Sequence, residues 1–336
     1  MNILIRADAS SAIGSGHVMR CLTVAHNLRK LGHHVSFWME PLPGNLIQFV
    51  EEAGFAVTQQ AVFVDILIVD HYGLDLRWEQ SMRSFARRIV VIDDLANRRH
   101  DCDLLLDQNV IANYESRYDD LVPQHCIKLL GSAYLMMRDE FIEARSKAVV
   151  RSGDVRRLLV FMGGSDPTGE TLKVLDAIEQ LQQLAKCGQH HTSIAHIDVV
   201  VGSSNASKEL IQQRCSELQL HYYCQINYLS DLMVQADFAI GAGGSAMWER
   251  CYVGLPSSST VVADNQAPTT DKAAQLGAII HLGWHEQVNA ETYVKLIKQL
   301  PELGDQLAAM SRQGLSITES QGGSNAWLQE MVGLKP

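Results

Sequence analysis

The sequence predicts an α/β protein made of two Rossmann-like, doubly wound domains, and three observations predict it. Apolar runs closed by an acidic or small residue recur along the chain, as Val64–Asp70 (VDILIVD) does, the pattern of parallel strands buried on both faces. Segments of helical period follow such runs, which implies βαβ units. Three of the strands run into a glycine-rich loop and then a helix, at Gly14–His17, Gly163–Gly169 and Gly241–Ser245. A chain of 336 residues is too long for one ordinary core and suits two.

In chain order, residues 2–7 read as a buried strand. Val18, Cys21, Leu22, Ala25, Leu28 and Leu31 then recur at helical spacing, with Gly32 as the stop. His33–Met39 reads as a second strand and Leu42–Ala53 as a helix ended at Gly54. Val64–Asp70, Arg88–Asp93 and Asp103–Leu106 read as strands, separated by helical segments of ten or more residues. The charged stretch 139–157 lacks strand character, so the boundary is placed there, giving domains 1–148 and 149–336. The second domain repeats the scheme. Arg157–Met162, Ile197–Val201, Asp237–Ile240 and Pro256–Val262 read as strands, Glu170–Ala185 and Ala246–Tyr252 as helices. The C-terminal stretch reads as helical, broken at Gly322-Gly323, and its last helix is allowed to pack back on the first domain.

Apolar residues make up 46% and charged residues 20%, as in a soluble globular protein. The formal charge is −10 and no Lys/Arg run exceeds a pair, which argues against nucleic acid or an anionic membrane as partner. Seven scattered cysteines without a C-x-x-C spacing read as thiols of a reducing compartment, not as a zinc site or disulfide frame. No signal segment is evident at the N-terminus, and no apolar run reaches the ~18 residues of a membrane span. The expectation is a cytoplasmic monomer.

The chemistry is expected in the loops. A strand, a glycine turn and a helix N-terminus put backbone N–H groups and a positive dipole end at one point, which attracts phosphate. The loops match neither a Walker A pattern nor a clean G-x-G-x-x-G, so ATP and NAD are disfavoured and no cofactor is expected. Gly14, Ser15 and Gly16 are the first candidates for anion contact. His17 sits where the dipole favours a neutral imidazole, able to accept a proton; the plainer reading is a polar residue beside a helix cap. Asp8, Asp70, His71, Tyr72, Asp93 and Asp94 all fall at strand ends, on one rim with that loop. Asp70-His71-Tyr72-Gly73 either faces a ligand or caps its loop. Asp93-Asp94 suggests a metal or a turn cap, and no partner spacing supports the metal. In the second half, Gly163, Gly164, Ser165, Gly243, Gly244 and Ser245 supply amides. Glu249 can accept two hydrogen bonds from a ribose diol or simply complement a helix start, and Asn265 and Gln266 can donate to phosphate or cap the next helix.

These residues carry a resemblance. Ala12–Arg20 (AIGSGHVMR), Asp70-His71-Tyr72-Gly73, Gly163–Pro167 (GGSDP), Gly241–Ser245 with Glu249, and Asp264-Asn265-Gln266 resemble the UDP-2,4-diacetamido-2,4,6-trideoxy-β-L-altropyranose hydrolases of pseudaminic acid biosynthesis. That family is similar to the UDP-GlcNAc transferase of peptidoglycan lipid II synthesis and shares its GT-B architecture. The likeness spans nearly the whole chain, and the first loop and the D-H-Y-G tetrapeptide are its most specific parts. It implies UDP in the interdomain cleft, its ribose on Glu249 and its phosphates on Gly243–Ser245 and Asn265. It implies His17 as general base for water attack on the anomeric carbon with inversion, Tyr72 at the sugar, and no metal. Lys186–Ser193 looks like an insertion-prone loop with nothing to transfer, and the role of Ser245 is less defined than that of Glu249. A GT-B transferase using a UDP-amino-sugar stays open as the alternative; its acceptor side would need an apolar patch, for which Leu42–Leu46 is the candidate. A UDP-sugar epimerase and a nucleotide-sugar sensor remain as further readings.

Overall fold

The computed structural model describes residues 1–336 except 11, 152, 189–192, 320–324 and 334–336. The chain forms two compact units, Met1–Arg138 with Ser320–Pro336, and Asp139–Glu319. The division thus falls earlier than the boundary read from the charged stretch, because the charged residues from Asp139 onward begin a helix of the second unit.

The first unit runs β1 (Asn2–Ala7), α1 (Gly16–Lys30), β2 (His34–Trp38), α2 (Ile47–Glu52), β3 (Ala56–Thr58), β4 (Val64–Asp70), α3 (Leu76–Met82), β5 (Ala86–Ile92), β6 (Leu104–Asp107) and β7 (Ile127–Leu130). Among the described residues these strands make a seven-stranded sheet in the order β3-β2-β1-β4-β5-β6-β7, and every pair is parallel. The order reverses between β1 and β4, and at such a switch point the loops leaving neighbouring strands diverge and open a crevice. Apolar residues cover both faces. Ile3, Ile5 and Ala7 of β1 pack with Val18, Cys21, Leu22, Ala25 and Leu28 of α1, while Leu4 packs on the other face with Leu67, Val69 and Tyr118.

Helix α1 stops as expected: Gly32 takes φ +81°, its N–H bonds to the Arg29 carbonyl at 2.9 Å, and the His33 N–H bonds to Leu28 at 3.2 Å. The helix expected over Leu42–Ala53 is reduced to α2. Pro41, Pro43 and Gly44 at φ +75° shape a turn instead, and the Asn45 side chain closes it by donating to Leu42 O and accepting from Ile47 N. Leu42 and Leu46 are half-buried, and Leu46 packs on the core. The expected long helices between strands are also corrected. Helix α3 has seven residues, and β5 connects to β6 with no helix among the described residues. Arg98 braces that connection by donating to Leu74 O and His71 O and by an ion pair with Asp93 at 2.7 Å.

The second unit runs α4 (Asp139–Arg145), β8 (Arg157–Phe161), α5 (Glu170–Lys186), β9 (His196–Val201), α6 (Lys208–Glu217), β10 (His221–Cys224), α7 (Leu229–Gln235), β11 (Phe238–Ala242), α8 (Ser245–Tyr252), β12 (Ser257–Val261), α9 (Ala267–Gln275), β13 (Ile280–Trp284), α10 (Ala290–Gln299) and α11 (Gly304–Ile317). Its six described strands are parallel in the order β10-β9-β8-β11-β12-β13, with the switch point between β8 and β11. β11 extends further than expected, through Gly241 and Ala242. A Cβ on Gly241 would lie 2.4 Å from the buried Arg250 guanidinium, so the glycine serves strand packing and not the loop. The expected break at Gly322-Gly323 lies outside the described residues, as does part of the loop Lys186–Ser193.

The chain then returns. Helix α12 (Trp327–Val332) buries Trp327, Met331 and Val332 in the core of the first unit, and the Trp327 indole donates to Leu135 O at 3.2 Å and Asn325 Oδ1 at 3.0 Å. Trp327→Ala is expected to cost about 3–5 kcal/mol by loss of a fully buried indole, measured by chemical denaturation. A midpoint equal to that of the parent would show that the terminal helix does not hold the first core.

Candidate active site

In the first unit the site is built at the switch point. The loop after β1 turns tightly. Gly14 at φ +82° donates to Ser10 O at 2.8 Å, and Ser10 Oγ accepts from the amides of Ala12 and Ile13. Ser15 caps α1 without a side-chain hydrogen bond and no acidic residue sits in the first turn, so the positive helix end is left for an anion. Gly16 is exposed at that end. His17, one residue on, is turned inward and buried.

The neighbouring strand meets it there. β1 and β4 pair in register with Ala7 opposite Asp70, so the last residue of β4 lies beside the start of α1. His17 Nδ1 is 2.6 Å from Asp70 Oδ1. Arg20, one helical turn after His17, clamps the same carboxylate through Nε at 2.5 Å and Nη2 at 2.6 Å, and reaches Asp94 through Nη1 at 3.0 Å. Cys21 Sγ adds a fourth donor at 3.4 Å. Burial alone would raise the Asp70 carboxyl; the Arg20 charge and His17 outweigh it and hold Asp70 well below the usual carboxylate range. An ionised carboxylate only accepts, so His17 Nδ1 donates to it, and in the neutral tautomer with that proton the lone pair lies on Nε2. The Tyr72 ring meets the imidazole edge-on at 4.3 Å between centroids. Burial and the adjacent Asp94, which its hydroxyl engages, push the Tyr72 phenol up, so it stays a donor. His17, Asp70, Arg20, Asp94 and Tyr72 thereby form a closed ring of contacts.

The other acidic strand ends are braces. Asp8 is buried with both oxygens on Arg6, at 2.6 and 2.8 Å, and it also accepts from Glu40 N and meets His71 at 3.3 Å. It therefore braces His71 and has little surface of its own. Asp93 accepts from Ala96 N and from the Tyr118 hydroxyl besides its Arg98 pair, and Asp94 pairs with Arg20. Each thus meets an arginine, and Asp93 also ties down the turn that follows it. Asp107 beside them is pushed up to about 6 by burial and the neighbouring aspartates.

In the second unit the loops after β8 and β11 meet the switch point of that sheet. Gly163 takes φ +93°, and Asp166 closes the loop by accepting from Glu170 N and Thr171 N, both at 2.9 Å. A Cβ on Gly202 would lie 2.4 Å from Gly164 O, so β9 brings its own glycine against Gly164, and Ser204 Oγ donates to the same carbonyl. After β11, Gly243 has no room for a side chain: its Cβ would fall 2.6 Å from Thr270 Oγ1 and 3.1 Å from Gln266 Oε1. Gly244 at φ +89° turns the chain into α8, whose first residue, Ser245, is exposed and whose N-terminus has neither a side-chain cap nor an acidic first turn. Glu249 lies half-buried one turn on. Gln266 accepts from Val262 N at 3.2 Å, which makes it a support of the glycine loop, while Asn265 is exposed beside it. Arg250 lies wholly buried beneath, donating to Ala242 O and Ser259 Oγ, and burial pushes it down to about 10. Among the described residues, neither loop cluster gathers three His, Cys, Asp or Glu donors around one point.

Sequence reasoning placed His17, Tyr72 and the glycine loops at strand ends, where they are found. It did not find the Asp70–His17–Arg20 clamp. Its signal was present, since a 3-2-1-4 strand order sets the end of the fourth strand beside the loop after the first.

Two parallel-sheet α/β units with loop clusters at their switch points define the GT-B class. The MurG structure from Acinetobacter baumannii matches with a TM-score of 0.59 at 15% identity, over 99% of this chain and 98% of that one. The chain belongs to the family of the UDP-2,4-diacetamido-2,4,6-trideoxy-β-L-altropyranose hydrolase: it is 30% identical over 289 residues to that protein of Campylobacter jejuni, 82% of this chain and 97% of the relative. It is also 24% identical over 274 residues to the uncharacterized protein MJ1062 of Methanocaldococcus jannaschii, spanning 76% of this chain but only 54% of that relative's length. No family model matches the chain.

Asp70→Asn is expected to cost about 3–5 kcal/mol, because it leaves Arg20 and His17 buried against a neutral amide. The depressed value of Asp70 fixes the sign: its contribution is present above the unfolded pKa of ~3.9 and is lost as pH falls toward the folded value. The gap in unfolding free energy between parent and variant should therefore hold at neutral pH and close in acid. A gap that widens on acidification would refute the clamp.

Proposed function

We propose that the protein hydrolyses a UDP-linked 2,4-diacetamido-2,4,6-trideoxy sugar at the anomeric C–O bond, with inversion, releasing UDP and the free sugar for pseudaminic acid synthesis. The observation that carries this reading is the Asp70 carboxylate on His17 Nδ1, which leaves Nε2 of that oriented ring as the proton acceptor beside an uncapped helix start. The family membership and the named activity of the Campylobacter relative support the substrate class.

In this mechanism the second unit holds the nucleotide. Glu249 accepts from the ribose hydroxyls, the amides of Gly243, Gly244 and Ser245 with Asn265 take the phosphates, and Gly163, Gly164 and Ser165 line the same loops. In the first unit His17 Nε2 removes a proton from water as the oxygen attacks the anomeric carbon. The bond from that carbon to the β-phosphate oxygen breaks, and its electron pair leaves with UDP. Tyr72 lines the sugar, and Gly14, Ser15 and Gly16 present amides to the departing charge. Oriented amides and helix dipoles stabilise the diphosphate without a metal. A reducing, cytoplasmic setting belongs to this reading, supported by seven scattered cysteines with no C-x-x-C spacing. The GT-B likeness to MurG keeps one rival, a transferase using a UDP-amino-sugar, and requirement for an acceptor distinguishes it.

Turnover of the UDP-sugar in ¹⁸O-water, with EDTA and no acceptor, should place the label in the free sugar; label in UDP would mean attack at phosphorus and end this assignment. His17→Ala should lower kcat by about 10²–10⁴-fold with UDP affinity unchanged. Glu249→Ala should do the reverse, weakening UDP in a calorimetric titration while the base remains in place.

A further inference from the structure

The amino-terminal rim of the second sheet, opposite the glycine loops, carries three donor groups that the proposed reaction does not use. His196 and Asp198 project from one face of β9, two residues apart. His221 begins the edge strand β10 and stands in register with Asp198. His196 Nε2 lies 2.9 Å from Asp198 Oδ1, and the His196 and His221 rings stack with centroids 4.0 Å apart. One nitrogen of each ring and one carboxylate oxygen all fall within 4.8 Å of one another, the one such convergence among the described residues. Asp198 is fully buried, His196 half-buried and His221 exposed, so the group opens to solvent from an anchored base.

A single hydrogen bond accounts for His196 with Asp198 and leaves the second imidazole with only the ring stack. We propose that His196, Asp198 and His221 bind a divalent transition-metal ion of the zinc type. Two imidazoles and one carboxylate are a zinc donor set that leaves a fourth position for water. Donors at ~2.0–2.2 Å around a tetrahedral ion lie ~3.3 Å apart, close to the His196–Asp198 spacing, and rotation of the exposed His221 ring brings in the third. Arg157 Nε donates to Asp198 Oδ2 at 2.8 Å and holds the other oxygen toward the histidines, the outer-shell support that metal carboxylates have. The ion ties the edge strand to its neighbour. It acts on the stability of the second unit and takes no part in the reaction at His17.

The test uses the full chain, stripped with EDTA and titrated with Zn²⁺ and with Co²⁺. One equivalent of each is expected to bind, Co²⁺ with the visible absorption of a four-coordinate site, and Zn²⁺ should raise the Tm. His221→Ala, at an exposed position whose loss leaves the circular dichroism unchanged, should weaken Zn²⁺ on the order of 100-fold and abolish the Tm rise. Asp198→Asn should do the same, and UDP-sugar turnover by His221→Ala should match the parent. Absence of stoichiometric uptake, or uptake unchanged in both variants, overturns the site without touching the hydrolase reading, which ¹⁸O labelling tests independently.

Discussion

The first unit depends on one buried carboxylate. Asp70 ends the central strand β4 with no exposure, and a lone ion there would cost several kcal/mol. Its four donors from α1 remove that cost: two from Arg20, one each from His17 and Cys21. The clamp does two jobs. It locks the start of α1 to the end of β4, and it selects which nitrogen of His17 is free. In the proposed mechanism this matters because a base whose tautomer is set by a carboxylate loses little orientation on reaction.

Charge at this rim is matched locally. Asp8 sits with Arg6, Asp70 and Asp94 with Arg20, Asp93 with Arg98, and Asp107 with Arg117 at 3.0 Å. A protein of net charge −10 can therefore present a helix N-terminus to an anion without a field of free aspartates beside it. The second unit solves a different problem. Its loops are shaped by contacts a Cβ would destroy, Gly243 on Thr270 and Gly202 on Gly164, so that backbone and not side chain is presented at the surface.

The alternation of apolar runs with helical period was enough to place most strands to within a residue or two, since a strand buried on both faces has little freedom in composition. α2 was overread because its apolar positions fit a helix while Pro41, Pro43 and Gly44 forbid one. The edge strands β3, β7, β10 and β13 were not foreseen, for edge strands of three to five residues carry too few apolar positions to show a period. Asp8 was read as a ligand contact from its place at a strand end, yet it spends both oxygens on Arg6 and accepts from Glu40 N besides; Gln266 places its Oε1 on Val262 N. Position along a strand shows which end a residue occupies but not which partner takes its lone pairs.

What the sequence by itself determined was the two α/β units, the glycine loops and the presence of a histidine at the first helix start, because these follow from local period and from the conformations only glycine adopts cheaply. Tertiary structure alone decided that Asp70 meets His17 across 53 positions, that Trp327 returns to the first core, and that His196, Asp198 and His221 share one rim. Those pairings depend on strand order and register, and two strands far apart in the chain become neighbours through the packing of the whole sheet.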